Sequence, residues 1–512
     1  MAINIYNEGC HLLCHDDVIG SRRLSYILYL TDPDTPWQAE WGGALRLYPT
    51  TTKKDANGED VKVPGPDYTL SIPPAFNQLS FFTVQPGESF HDVEEVYHPT
   101  ESEDKSKKRV RMAISGWFHI PQRGEDGFEE GLEEKLAERS SLSQLQGRAD
   151  IYDLPQPNPV IVDDEPADVQ GKGKAKVEEE PSIGFTESDL NFLIQYIAPS
   201  YLTPDIAEEM SDAFLNDSSL NLERFLSEKY SAKVRSYIQE QEQKGLPKSS
   251  DEIQSSTDWT VARPPHKHRY LFQQQSTAKS QDQQSPIKDL LNNLFPSKPF
   301  RKWLTLITGS ERISSYNLLA RRFRRGQDYT LANSYVSEEP RLELTLSLTP
   351  TPGWEKDEPA EEGAEEAQAG GSSSTKKPES SEQEAHVGGY EIYMAGDDEE
   401  EEKSGDDPAI YRSAADDGDD GILFSTAAGW NRLSIVLRDS ETLKFVKYVS
   451  AAAKGDRWDI TGELGVEFND DDDDNENEEG VDDEDEDEDE DDLEDEDDDD
   501  DDDGGMMIEG DE

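Results

Sequence analysis

Over the first 120 residues the apolar positions fall in short β-branched and aromatic runs, separated by turn-forming Gly, Pro and Asn. INIY from Ile3, LLCH from Leu12, RRLSYILYL from Arg22 and GGALRLYP from Gly42 each read as a strand. KVPGPDYTLSIPP, NQLSFFTVQPGE, SFHDVEEV and RMAISGWFH continue the series, and TESEDKSKKR is a charged hairpin loop before the last of them. RRLSYILYL is so continuously apolar that it suits a strand buried on both faces. Many short strands with tight turns predict an all-β barrel or sandwich.

The pattern then changes. Residues 122–183 are polar and Pro-containing and read as linker, with GEDGFEEGLEEKLAERSSLSQLQ as a short amphipathic helix. TESD from Thr186 is a capping-box pattern before LNFLIQYI, and helical spacing continues through AEEMSDAFLNDSSLNLERFLSEKY. Strand alternation returns in RLELTLSLTPTPGW and GGYEIYMAG, interrupted by an acidic Gly/Ser-rich stretch at about 355–387. Two stretches near the end echo the beginning. NRLSIVLRDSETLKFVKYVS from Asn431 resembles NQLSFFTVQPGESFHDVEEV from Asn77, and RWDITG from Arg457 resembles RMAISG from Arg111. Matching on V-x-x-V puts Lys444 opposite His91, whereas counting from the Asn puts Phe445 there. The echo predicts a duplicated barrel whose second copy has no imidazole at that position.

Charge sharpens this division. The formal net charge is −66, and from Glu467 onward the sequence is almost pure Asp and Glu, which cannot bury enough apolar surface to order itself. Such a chain is a poor binder of nucleic acid and an attractive one for basic proteins. RRFRRGQDYTLA from Arg321 is a dense basic exception, compatible with pairing to the acidic insertions or with contacting RNA or a partner. MAINIYNEG has no secretory-leader pattern, no apolar run reaches membrane-helix length, and the two cysteines fit a reducing compartment. The expected location is the cytoplasm, the nucleus or both. KGKAK around Lys174 reads as solvated charge or an import signal.

Candidate chemistry begins at His15 and Asp17, two residues apart. On a strand both would face one side, with Asp16 turned away. One imidazole and one carboxylate are two-thirds of the 2-His-1-carboxylate set that binds non-haem iron(II), and His91 is the candidate third ligand. Zinc held by Cys10, His11, Cys14 and His15 is disfavoured because these residues alternate faces, and His266 and His268 sit beside Lys267 and Arg269 as a basic surface. Arg111 opens the last strand of the series, with Arg109 as the alternative on the same face; Trp117 and Phe118 are read as packing its far end.

LLCHDD, RRLSYILYL, GGALRLYP, SFHDVEEV and ISGWFH together resemble the iron(II)- and 2-oxoglutarate-dependent prolyl 3-hydroxylase family that acts on a small-subunit ribosomal protein. The resemblance implies iron(II) held by His15, Asp17 and His91, 2-oxoglutarate paired with Arg111 and touched by Tyr6, and L-ascorbate as a further cofactor. It implies mainly β structure with some α: two double-stranded β-helix (jelly-roll) domains, the second without metal ligands, plus disordered acidic linkers and tail. The expected boundaries are a catalytic domain at 1–121 lacking an amino-terminal segment, a linker at 122–183, the degenerate second domain at 184–466 and an acidic tail at 467–512. Ala113 stands where the family usually has Ser, a lost hydrogen bond worth about 1 kcal/mol toward the cosubstrate. The implied activity is prolyl hydroxylation affecting translation termination, with ribosomes or termination factors as partners and neither membrane nor direct nucleic-acid binding. The competing reading is a non-catalytic or oxygen-sensing protein that holds basic partners or a transcription regulator.

Overall fold

The computed structural model describes residues 1–55, 57–100, 109–137, 150–162, 185–275, 285–332, 340–354, 387–395 and 421–468. The KGKAK cluster, both acidic insertions and the acidic tail lie outside the described residues.

The first region carries ten strands: β1 (Ala2–Tyr6), β2 (Leu12–His15), β3 (Arg22–Tyr29), β4 (Leu45–Leu47), β5 (Thr50–Lys54), β6 (Asp60–Pro64), β7 (Leu70–Ile72), β8 (Gln78–Thr83), β9 (His91–Val93) and β10 (Arg111–His119). Two four-stranded antiparallel sheets result, ordered β1-β10-β3-β8 and β2-β9-β4-β7, with β5 and β6 as a separate hairpin. This is a jelly roll. Alternation along β3 and β10 turns Ser25, Tyr29, Arg111 and Ala113 inward, where all are buried. The other face of the first sheet corrects the expectation that RRLSYILYL is covered on both sides. Ile3, Ile5, Leu79, Phe81 and Phe118 are exposed there, and Leu24, Tyr26 and Leu28 are only half-buried.

The second region is helix and sheet together. Thr186 accepts from the Asp189 N–H and Asp189 accepts from the Thr186 N–H, the capping box that TESD predicted. Helix Lys298–Thr308 buries Phe300, Trp303, Leu304 and Ile307 on the face turned to the sheet. The strands here are β11 (Val160–Ile161), β12 (Ser219–Glu223), β13 (Thr260–Val261), β14 (His268–Arg269), β15 (Leu271–Gln274), β16 (Arg312–Phe323), β17 (Tyr329–Thr330) and β18 (Arg341–Leu348). They continue with β19 (Glu391–Ala395), β20 (Ile422–Thr426), β21 (Trp430–Arg438), β22 (Thr442–Val446) and β23 (Arg457–Glu467). The large sheet runs β12-β21-β18-β23-β16-β15-β13, and β20-β19-β22 and β14-β17 form smaller sheets. No helix among the described residues is long and apolar enough to cross a membrane.

The two regions repeat one backbone device. Gly42 bridges Val96 and Gly388 bridges Val449, both with an antiparallel partner. Gly42, Gly43, Gly388 and Gly389 all have φ near +70°. A Cβ on Gly42 would lie 2.0 Å from the Glu95 carbonyl, and one on Gly388 would lie 2.0 Å from that of Tyr448, so only glycine fits either turn. Past the bridges, Leu47 pairs with His91 and Tyr393 pairs with Lys444. Backbone register therefore places Lys444, not Phe445, at the position of His91.

What surrounds Lys444 is an internal salt-bridge cluster. Buried Glu343 accepts from Arg438 Nη1 at 2.6 Å, Lys444 Nζ at 2.6 Å and Arg341 Nη2 at 2.7 Å. Glu391 accepts from Arg321, while Asp459 accepts from Arg321 and Arg457. The basic stretch from Arg321 is consumed in the same way: Arg322 pairs with Asp456 and Arg324 with Asp328. Among the described residues its partners are carboxylates of the folded region. Burial raises the Glu391 carboxyl, but Lys444, Arg321 and Arg457 outweigh it and bring it down to about 2. Glu343 is likewise depressed. A carboxylate with a depressed folded pKa stabilises above its unfolded value of about 4.5 and loses that contribution as pH falls toward the folded value. Lys444→Met leaves two buried carboxylates short of a cation and should cost about 3 kcal/mol. Urea unfolding should show the lower midpoint at neutral pH, and acid unfolding should begin at higher pH than in the wild type.

Candidate metal centre

β2 and β9 are neighbours in the second sheet, with His15 opposite His91. The register slips between Leu12 and His15, a β-bulge that re-aims the end of the strand. The expected shared strand face does not explain Asp17. The strand ends at His15, and Asp17 follows in the left-handed region at φ 60°. Asp tolerates that conformation better than most residues. The turn brings its carboxylate back beside the imidazole: His15 Nε2 lies 3.3 Å from Asp17 Oδ1, and His91 Nε2 lies 3.7 Å from Asp17 Oδ2. Asp16 does point away, accepting from the Val18 N–H.

His15 Nδ1 is 2.8 Å from the Leu13 carbonyl and His91 Nδ1 is 2.7 Å from that of Ser89. A carbonyl only accepts, so both Nδ1 atoms carry hydrogen and both Nε2 atoms are left to face Asp17. Trp117 Nε1 donates to Asp17 Oδ2 at 3.1 Å, and Arg22 lies over the Trp117 ring at 3.7 Å. Burial pushes the His91 imidazole down to about 4, helped by its neighbour His15. Burial also favours a neutral His15, but the Asp17 carboxylate and the Leu13 carbonyl outweigh it and raise that group. Asp17 is opposed by burial and held far below the usual carboxylate range by His15, His91 and Trp117.

The three candidate ligand atoms all lie within 4.8 Å of one another. Two imidazole nitrogens and one carboxylate oxygen fit iron(II), and three protein ligands leave coordination positions open. Each ligand is oriented by a further hydrogen bond, the outer-shell support that metal sites use. Trp117→Phe removes the support to Asp17 and should weaken iron(II) binding about tenfold, measured by equilibrium titration.

Arg111 is opposite Tyr6 in the β1–β10 register. Its guanidinium sits 4.7 Å from the Tyr6 ring and 5.1 Å from the Tyr29 ring. Nε donates to the Gly43 carbonyl at 2.7 Å, the Tyr29 hydroxyl is turned toward Arg111 and Ser80, and among the described residues buried Nη2 makes no hydrogen bond of good geometry. A buried donor left so poorly satisfied is costly, and a bound carboxylate satisfies it. This is the fit a dicarboxylate cosubstrate requires. Arg109 precedes the strand instead of sharing its face, and it is engaged by Glu8 and the Tyr97 carbonyl. Cys10, His11 and Cys14 join no metal-ligand group among the described residues: His11 stacks on Tyr448 at 3.9 Å and Cys14 is buried. His266 and His268 form no basic surface. His266 is buried against Phe90, and His268 Nε2 contacts the Leu154 and Arg263 carbonyls.

Sequence reasoning missed Trp117 and Tyr29. Trp117 was read with Phe118 as end packing; Trp117 faces Asp17, whereas Phe118 is 60% exposed. Two-residue alternation from Arg111 through Ala113 and Ser115 was the signal that turns Trp117 inward.

Comparison with known proteins agrees with this geometry. Residues 188–472 match the family described as oxoglutarate and iron-dependent oxygenase degradation C-term, and residues 1–119 match the 2OG-Fe(II) oxygenase superfamily. A prolyl 3,4-dihydroxylase, OGFOD1 of Ostreococcus tauri, is 29% identical over 467 residues, 89% of this chain and 76% of its own length. Prolyl 3-hydroxylase OGFOD1 of Xenopus laevis is 43% identical over 108 residues, 21% of this chain and 17% of its own. A crystal structure of a Pseudomonas putida prolyl-4-hydroxylase is 11% identical and covers 51% of this chain and 98% of its own, with a TM-score of 0.29, too low to carry an argument. By a match spanning more than half its length, the chain belongs to the iron- and 2-oxoglutarate-dependent oxygenases of the prolyl 3,4-dihydroxylase type.

Proposed function

We propose that the chain hydroxylates a prolyl residue of a small-subunit ribosomal protein and thereby affects translation termination, with His15, Asp17 and His91 as ligands to iron(II). The observation that carries this reading is the His15–Asp17–His91 group, with His91 buried and His15 half-buried, in a jelly roll whose inner wall carries a buried arginine with donor capacity to spare among the described residues. The names of the relatives supply the prolyl residue. The ribosomal protein rests on resemblance.

Bound iron(II), with 2-oxoglutarate and O2, supplies the oxidation of a C–H bond to C–OH with release of succinate and CO2. The chain's own residues bind and orient. His15 and His91 present Nε2 because their Nδ1 hydrogens are committed to carbonyls. Trp117 holds Asp17 in place as an ionised ligand. Arg111, its guanidinium flanked by Tyr6 and Tyr29, would fork onto the far carboxylate of 2-oxoglutarate. Tyr29 and Ala113, both buried, help exclude water from that end. L-ascorbate would be the further cofactor, as the resemblance implies.

The second region is read as a second β-helix whose ligand position is filled by Lys444 and whose interior charge is neutralised by Glu343 and Glu391. The domain limits proposed are 1–121, 122–183, 184–466 and 467–512, and the proposed location is cytoplasmic or nuclear. Anaerobic titration with iron(II) followed by 2-oxoglutarate tests the site. One iron per chain and a visible charge-transfer band on adding 2-oxoglutarate are expected; a protein that binds neither would defeat the reading.

A further inference from the structure

Each imidazole of the metal site has neighbours in sequence that reach into the second region. Strand alternation turns His15 and His91 toward the barrel interior and turns the adjacent residues outward. The bulge in β2 releases the Cys14 N–H from the sheet ladder, and a buried N–H needs a partner. It donates to the Tyr329 hydroxyl at 3.2 Å, and that hydroxyl is itself fixed by donating to the Pro265 carbonyl at 2.6 Å. Phe90, directly before His91, is 1% exposed and stacks on His266 with centroids 4.7 Å apart. Asp92, directly after His91, accepts from Arg46 and from the Tyr48 hydroxyl, which in turn accepts from Arg269 Nη1.

We propose that Tyr329 and His266 of the second region are positioning residues of the metal site, acting through Cys14 and Phe90 to hold His15 and His91 at coordinating separation. This rests on the reading of His15, Asp17 and His91 as ligands. The second region, which has Lys444 where the first has His91, then serves the chemistry of the first. The requirement is geometric: a metal site tolerates displacements of its ligands of only about 0.5 Å. The β2 backbone at Cys14 and the Phe90 ring that leads into β9 are each held from outside by a group far away in sequence. A contact elsewhere across the same boundary provides the contrast. Asp67 accepts from the Ser250 N–H and hydroxyl, and neither residue adjoins a ligand.

The test uses the full chain with cobalt(II) alone as probe, reading its dissociation constant and its visible d–d spectrum, with circular dichroism and Tm as checks of folding. Tyr329→Phe and His266→Ala should each weaken cobalt binding about tenfold and alter the spectrum, the size seen when outer-shell support is lost. His266→Phe, which keeps an aromatic ring on Phe90, should restore affinity, and Ser250→Ala should leave affinity and spectrum unchanged. His91→Ala should abolish binding. Wild-type affinity and spectrum in both Tyr329→Phe and His266→Ala, with binding still lost in His91→Ala, would overturn the positioning role and leave the ligand assignment standing. Equal weakening in Ser250→Ala would also overturn it, since general loosening of the boundary would then suffice. Undiminished cobalt binding in His91→Ala would instead overturn the ligand assignment itself.

Discussion

His91→Ala is expected to yield a folded protein that retains no stoichiometric iron and releases no peptide-dependent succinate, a loss of at least about 10³-fold in turnover. Only one imidazole and one carboxylate would remain of the His15–Asp17–His91 group, too few to hold a labile divalent ion against water. The fold should survive. His91 packs edge-on to Phe82 at 4.6 Å, so truncation costs a contact of modest size, about 1–3 kcal/mol. The decisive comparison is iron content by elemental analysis beside succinate release on the same preparation. Turnover in the variant at even a tenth of the wild-type rate would mean that another group supplies the third ligand.

Arg111→Ala is the second large effect, and it should fall on the cosubstrate rather than on the metal. Arg111 is 2% exposed, its guanidinium held by the Gly43 carbonyl and flanked by Tyr6 and Tyr29. Removing one partner of a buried, hydrogen-bonded charge pair costs about 2–5 kcal/mol. At about 1.4 kcal/mol per tenfold, KM for 2-oxoglutarate should rise by at least about 30-fold. Iron stoichiometry should hold, because Arg111 touches none of the three candidate ligands in the contacts seen here. Arg111→Lys keeps the charge but not the fork, so it should recover only part of the loss. An unchanged KM would place the 2-oxoglutarate carboxylate elsewhere in the barrel.

The strand series of the first region was legible because its period and its turns are local. INIY, GGALRLYP and RMAISGWFH became β1, β4 and β10 on the strength of their own residues. The capping box at Thr186 was legible for the same reason. The nearness of His15 and Asp17 is also anticipated by the sequence, but through a strand that ends two residues too soon; the turn at Asp17 is set by the surrounding fold. Arg324 finds Asp328 four residues on, but the rest of the basic stretch could not be resolved from the sequence, since its other carboxylate partners are distant. Arg321 meets Asp459 from 138 residues away, and no local pattern encodes that pairing. Lys444 and Phe445 were equally good matches to His91 until the Gly42 and Gly388 bridges fixed the register. The outer face of β3 was misjudged for a related reason: an apolar run reports what a strand can bury, not what covers it.

The central claim is that this chain inserts oxygen into a prolyl residue. Its most direct test is the mass of a proline-containing loop peptide from the small-subunit ribosomal protein after incubation with purified chain, iron(II), 2-oxoglutarate and ascorbate. A gain of one oxygen atom on proline, dependent on 2-oxoglutarate and matched by one succinate per oxygen, is the predicted result. An unmodified peptide from protein that has bound one iron and one 2-oxoglutarate per chain would contradict the account.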